Sequence, residues 1–86
     1  MANKVKIHPG QLYAVTAGDY FGCNIVCINV HNNSVMFLEL NEMKNMDIDK
    51  SDVTSGVAHG VLELLDTLPD DIMDTCIKQY EKNTNN

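Results

Sequence analysis

Hydrophobic and polar positions alternate along the first half of the chain and recur at helical spacing along the second. Over residues 12–17, Tyr13, Val15 and Ala17 alternate with Leu12, Ala14 and Thr16, which is the period of a β-strand. A second run, residues 24–30, is dense in β-branched side chains and bounded by turn residues. In a third, residues 35–40, Met36, Leu38 and Leu40 point one way while Val35, Phe37 and Glu39 point the other. His31-Asn32-Asn33-Ser34 reads as a hairpin connection, because asparagine tolerates left-handed geometry. The three runs therefore predict an antiparallel meander. Residues 1–7 form a leader that can pair as an edge strand, and a short strand at 46–49 would let the sheet curl toward closure.

After residue 50 the spacing changes. Val57, Val61, Leu64, Leu65 and Leu68 fall at i, i+4, i+7, i+8 and i+11, which predicts an amphipathic helix over 56–67 capped by Ser51 or Ser55. Gly56 and Gly60 weaken its first turn. A second helix is expected from Pro69 at its first position, with Asp70 and Asp71 at the positive end of the macrodipole and Lys78 and Lys82 toward the other. Ile72, Met73, Cys76, Ile77 and Tyr80 give it a core stripe; it should run to about residue 81, leaving 83–86 frayed. The predicted fold class is α+β: a small antiparallel sheet or SH3-like barrel of three to five strands, followed by one or two C-terminal helices. One domain over 1–86 is expected, divided into a β meander at 1–50, a helical part at 51–82 and the tail.

Composition leaves that picture intact: 44% hydrophobic and 21% charged residues are ordinary for a globular chain of 86 residues. The apolar runs are too short to span a bilayer, and no apolar stretch follows Lys4 as a secretory signal would require, so a cytoplasmic location is expected. Charge changes more. Twelve acids face six bases for a net charge of −6, and all six bases are lysine. Residues 39–74 hold ten of the acids against Lys44 and Lys50. A chain without arginine lacks the planar fork that reads phosphates and guanines, and its acidity opposes counterion displacement on nucleic acid.

The cysteines and histidines raise the question of metal and redox chemistry. Cys23, Cys27 and His31 are spaced by four, but on a strand that spacing separates side chains by about 13 Å. Tetrahedral zinc, with Zn–S bonds of about 2.3 Å, and a disulfide both need far closer approach. Buried structural thiols are expected at Cys23 and Cys27, and a core thiol at Cys76. His8, His31 and His59 lie in no nucleophile motif. Asp47, Asp49 and Asp52 lack the glycine and distal glutamate of a calcium loop. Gly18 to Gly22 lacks the lysine of a phosphate loop. Neither catalytic residues, nor a metal, nor a cofactor is expected, and the chain reads as non-enzymatic.

Two resemblances add to this. Gly10-Gln11-Leu12-Tyr13-Ala14-Val15, Gly18-Asp19-Tyr20-Phe21-Gly22 and the apolar strand through Val30 resemble a small SH3-like barrel of the KOW type. That resemblance implies binding to RNA or a polymerase, although the acidic chain departs from the family's basic surface. Gly56, Val61, Leu65, Leu68-Pro69-x-Asp71-Ile72, Cys76 and Gln79-Tyr80 resemble the C-terminal segments of small early proteins from tailed bacteriophages. This second resemblance implies a host-directed factor, such as an inhibitor of a bacterial defence protein.

Three function classes follow. In the first, the chain is a stoichiometric inhibitor that docks a host protein of basic surface through Glu63, Asp66, Asp70, Asp71 and Asp74. In the second, it sequesters a nucleotide-like signalling molecule, with Tyr13, Tyr20, Phe21 and Phe37 stacking the base and Lys4, Lys6 and His8 answering phosphate. A homo-oligomer suits the second class. A nucleic-acid-binding barrel ranks last, since Lys4 and Lys6 are its one basic candidate.

Overall fold

Strands β2 (Asn24–Val30) and β3 (Ser34–Glu39) are apolar at consecutive rather than alternate positions, so neither of their faces can be left to water. The structure, a computed structural model, describes residues 6–85 and satisfies both faces. β1 (Gln11–Val15), β2, β3, β4 (Lys44–Asp49) and β5 (Leu62–Thr67) form one antiparallel sheet in the order β4-β3-β2-β1-β5. Helix α1 (Lys50–Ala58) connects β4 to β5, and helix α2 (Asp70–Thr84) follows β5. This is the α+β fold with a five-stranded antiparallel sheet and a C-terminal helix. Among the described residues backbone pairing does not close it into a barrel, because β4 and β5 stand at opposite edges.

The helices cover opposite faces. On one, Tyr13, Ile25, Cys27, Val35 and Phe37 pack with Val53 of α1 and Leu62 of β5. On the other, Val26, Ile28 and Leu38 pack with Met73, Cys76 and Tyr80 of α2. Each central strand thus sends alternate side chains into two separate clusters. A bulge between Cys27 and Asn29 shifts the β2–β3 register within this arrangement.

Polar contacts fix α2 against the β4 edge. The Tyr80 hydroxyl donates to Asp47 Oδ1 at 2.8 Å, and Asn45 Nδ2 donates to the Tyr80 carbonyl at 3.1 Å. Asn83 Nδ2 reaches both the Met43 carbonyl and Asn45 Oδ1 at 2.9 Å. These bonds explain why the helix continues to Thr84 where fraying from 83 was expected. Pro69 occupies the N-cap rather than the first helical position. The β3–β4 turn is held from within, since the buried Glu39 carboxylate accepts the N–H groups of Asn41 at 2.7 Å and Glu42 at 2.9 Å.

The largest correction concerns 56–67. No helix spans it: α1 begins earlier, at Lys50, and ends at Ala58, and β5 takes Leu62–Thr67. The turn between them places Gly60 at φ 76°, a conformation glycine adopts without steric cost and one that stops the helix. Gly56 lets α1 approach β5, since a Cβ there would stand 3.2 Å from Leu62 Cγ. β1 also needs a second partner for its outward N–H and C=O groups, and β5 supplies it. The stripe read as a helix face is therefore divided. Val57 packs on the α1 cluster and Leu68 on the α2 cluster, while Leu64 and Leu65 are half exposed. The strand expected at 12–17 is shorter, at Gln11–Val15. For the leader, 1–5 lie outside the described residues and Lys6 to His8 are not strand, though Ile7 packs against the α1 cluster.

Two predictions follow from these placements. Leu38→Ala should cost about 2–5 kcal/mol in urea unfolding, because Leu38 is fully buried, whereas Leu65→Ala should cost under about 1 kcal/mol. The second concerns alkaline pH. Burial pushes the Cys27 thiol up from 9.0 to about 12; burial and then the Asp47 carboxylate push Tyr80 from 10.0 to about 12. Both groups are neutral when protonated, so the unfolded chain loses these protons first and stability should decline as pH rises from about 9 to about 12. Tyr80→Phe should remove the part of that decline above about pH 10, read as a shallower loss of urea midpoint.

Candidate functional site

From Leu62 to Ile77 the chain carries five acids and no base: Glu63, Asp66, Asp70, Asp71 and Asp74. The β5–α2 connection makes them successive surface features, and all five are exposed. Glu63 pairs with Ala14 and Asp66 with Leu12, whose side chain joins the α2 cluster, so both β5 carboxylates belong to the α2 face of the sheet. Asp70 and Asp71 occupy the first turn of α2. Among the described residues the one ion pair is Glu42–Lys44 at 2.8 Å, so none of the five is ion-paired there, although Lys78 follows Asp74 by one turn of α2.

The same segment carries Leu64 and Leu65, 50% and 49% exposed. Leu64 pairs with Tyr13 and belongs to the α1 face, while Leu65 falls at the bulge between the Tyr13 and Leu12 pairings. Thr16 N–H bonds the Val61 carbonyl and Leu68 N–H the Gly10 carbonyl, both at 2.8 Å. By the alternation of an antiparallel ladder, Leu62 and Leu64 turn their backbone N–H and C=O away from β1, toward the edge at which no other described strand pairs. The Thr67 N–H is occupied by Asp66 Oδ1 at 2.7 Å. An acid-flanked, partly apolar strand edge is the result. Helical spacing hid it; the alternation Leu62-Glu63-Leu64 was the available signal for a strand.

The aromatic set is not brought together. Tyr13 and Phe37 are 1% and 0% exposed and meet edge to face, with ring centroids 6.2 Å apart at 84°. Neither offers a face on which a base could stack. Tyr20 and Phe21 lie on the β1–β2 loop, 52% and 72% exposed. Lys6 and His8 are exposed at the opposite end of β1, five strand residues away, about 16 Å. Lys4 lies outside the described residues.

His59 Nδ1 lies 3.2 Å from Ser55 Oγ, a serine–histidine spacing, but also 2.9 Å from the Ser55 carbonyl oxygen. A carbonyl only accepts, so this nitrogen carries the proton and is not a base toward the hydroxyl. Among the described residues no three His, Cys, Asp or Glu side chains cluster to hold a metal. Cys23, Cys27 and Cys76 are free thiols; Cys27 and Cys76 are buried, and burial raises the pKa of both. Among the described residues no helix is long and apolar enough to cross a membrane. No protein-family model matches this chain, and neither a curated protein nor a solved structure does.

The thiol placements predict an order of alkylation. With iodoacetamide at pH 8, mass mapping should find the half-buried Cys23 modified first, and Cys27 only at the rate of unfolding.

Proposed function

We propose that the chain is a non-enzymatic binding protein that docks, through the β5–α2 surface, a host protein presenting a basic surface, and inhibits it stoichiometrically. The observation that carries this reading is the coincidence, among the described residues, of five acids without an ion-pair partner, two half-exposed leucines and an unpaired strand edge. Acids alone would serve solubility. Large apolar side chains on the same edge strand supply the desolvated contact that a stable interface needs.

Charge favours a foreign partner over a second copy. An antiparallel self-pairing centred on Leu64 and Leu65 would set Glu63 against Asp66 twice, and like charges directly opposite are destabilising. A lysine- or arginine-bearing surface meets the same acids with attraction. The likeness of 56–80 to early bacteriophage proteins supports a bacterial host protein, of a defence system, as the target.

The test is a complex reconstituted from the purified chain and a protein captured with it from bacterial lysate. Its affinity should fall at least about tenfold between low and high salt, and again on Asp70→Lys, Asp71→Lys and Asp74→Lys together. Leu64→Ser with Leu65→Ser should weaken it without unfolding the chain. An affinity indifferent to salt and to the charge reversals contradicts the reading.

A further inference from the structure

On the α1 face, a groove of about 250 Å³ opens between the β1–β2 loop, β4, α1 and the start of β5. Met46, Ile48, Val61 and Leu62 give it an apolar lining. Asp19 of the loop and Asp52 of α1 are its two charged residues, and no lysine, arginine or histidine among the described residues lines it. Lys44, the cation of the neighbouring strand end, is tied to Glu42.

One wall is built before any ligand arrives. Tyr20 lines the groove with its side chain half exposed, on a loop closed by two successive turns: Phe21 N–H donates to the Gly18 carbonyl at 3.2 Å and Cys23 N–H to the Tyr20 carbonyl at 3.0 Å. The Gly22 N–H returns to the Val15 carbonyl at 3.0 Å, fixing the loop to the end of β1. A wall held in this way loses little freedom on binding.

We propose that this groove receives one lysine or arginine side chain of the basic partner. Its volume lies below the roughly 300–1,000 Å³ of small-molecule sites and suits a single long side chain. The alkyl stem lies on Met46, Ile48 and Leu62, as such stems do on apolar surface while the head stays polar. The cationic head is held by Asp19 and Asp52, with the Tyr20 ring beside it for a cation–π contact. An anionic ligand of the same length meets two carboxylates and no cation. The inference rests on the basic-partner reading above, and it names what that partner inserts.

The probe is n-pentylammonium chloride, a stand-in for the lysine side chain, titrated into the ¹⁵N-labelled full chain and followed by amide shifts. Saturable shifts at Gly18, Gly56 and Val61 are expected, with n-pentanoate leaving these peaks in place. Asp19→Asn with Asp52→Asn should weaken the ammonium roughly two- to fivefold, the range for exposed charge pairs. Asp70→Lys, Asp71→Lys and Asp74→Lys should leave these groove shifts in place. The proposal is overturned by equal shifts from both ions, by no groove shifts, or by unchanged affinity in the double asparagine variant. Because the probe needs no partner, failure of the docking surface and failure of the groove are separately visible.

Discussion

Burial of β2 and β3 on both faces is the constraint from which the rest of the fold follows. Val26, Leu38, Cys27 and Phe37 are all withdrawn from water, yet they point to opposite sides of a single sheet. One covering helix could serve only half of them. The chain meets this with α1 inserted between β4 and β5 on one side and α2 laid across the other, locked at its end by Tyr80 and Asn83. Covering both faces leaves the two sheet edges as the places where backbone stays available.

The edges are treated differently. At β4, the Asn45, Asp47 and Met43 groups bind α2, so part of that strand's polarity is spent on holding the fold together. At β5, nothing among the described residues beyond β1 pairs with the strand, and it carries acids and leucines in succession. The bulge at Leu65 and the Asp66–Thr67 bond shorten its usable edge, which together with the charge opposes self-pairing and aggregation. We read the same features as selecting a cationic partner. The groove beside Val61 and Leu62 begins where β5 begins, and the acids continue past its end into α2.

Much of the fold was legible in the sequence because its strongest signals are local. β2 was read at its observed bounds, the hairpin at 31–34 matches the His31–Ser34 bond at 2.8 Å, and the start of α2 was announced by Pro69, Asp70 and Asp71. The segment 56–67 was not legible for a physical reason. Leu64 and Leu65 complete a helical stripe with Val57 and Val61, and only the distant need of β1 for a second neighbour decides against it. Val53 was missed as a core residue for the same cause, since α1 was expected to begin after it. Of the candidate site, the five acids could be named from charge alone. The exposure of the leucines on the same strand, and the placing of Asp19 and Asp52 on one groove, depend on contacts between segments more than thirty residues apart in sequence.

The central claim is that 62–67 is an exposed edge strand on β1, since both the docking surface and the groove exist only if it is. Nuclear Overhauser contacts in the ¹⁵N,¹³C-labelled chain test it most directly. Cross-strand contacts linking Tyr13 with Leu64 and Val15 with Leu62, and extended-strand chemical shifts through Thr67, are the predicted result. Helical contacts between residues three apart, running unbroken from Val57 to Thr67, would contradict it.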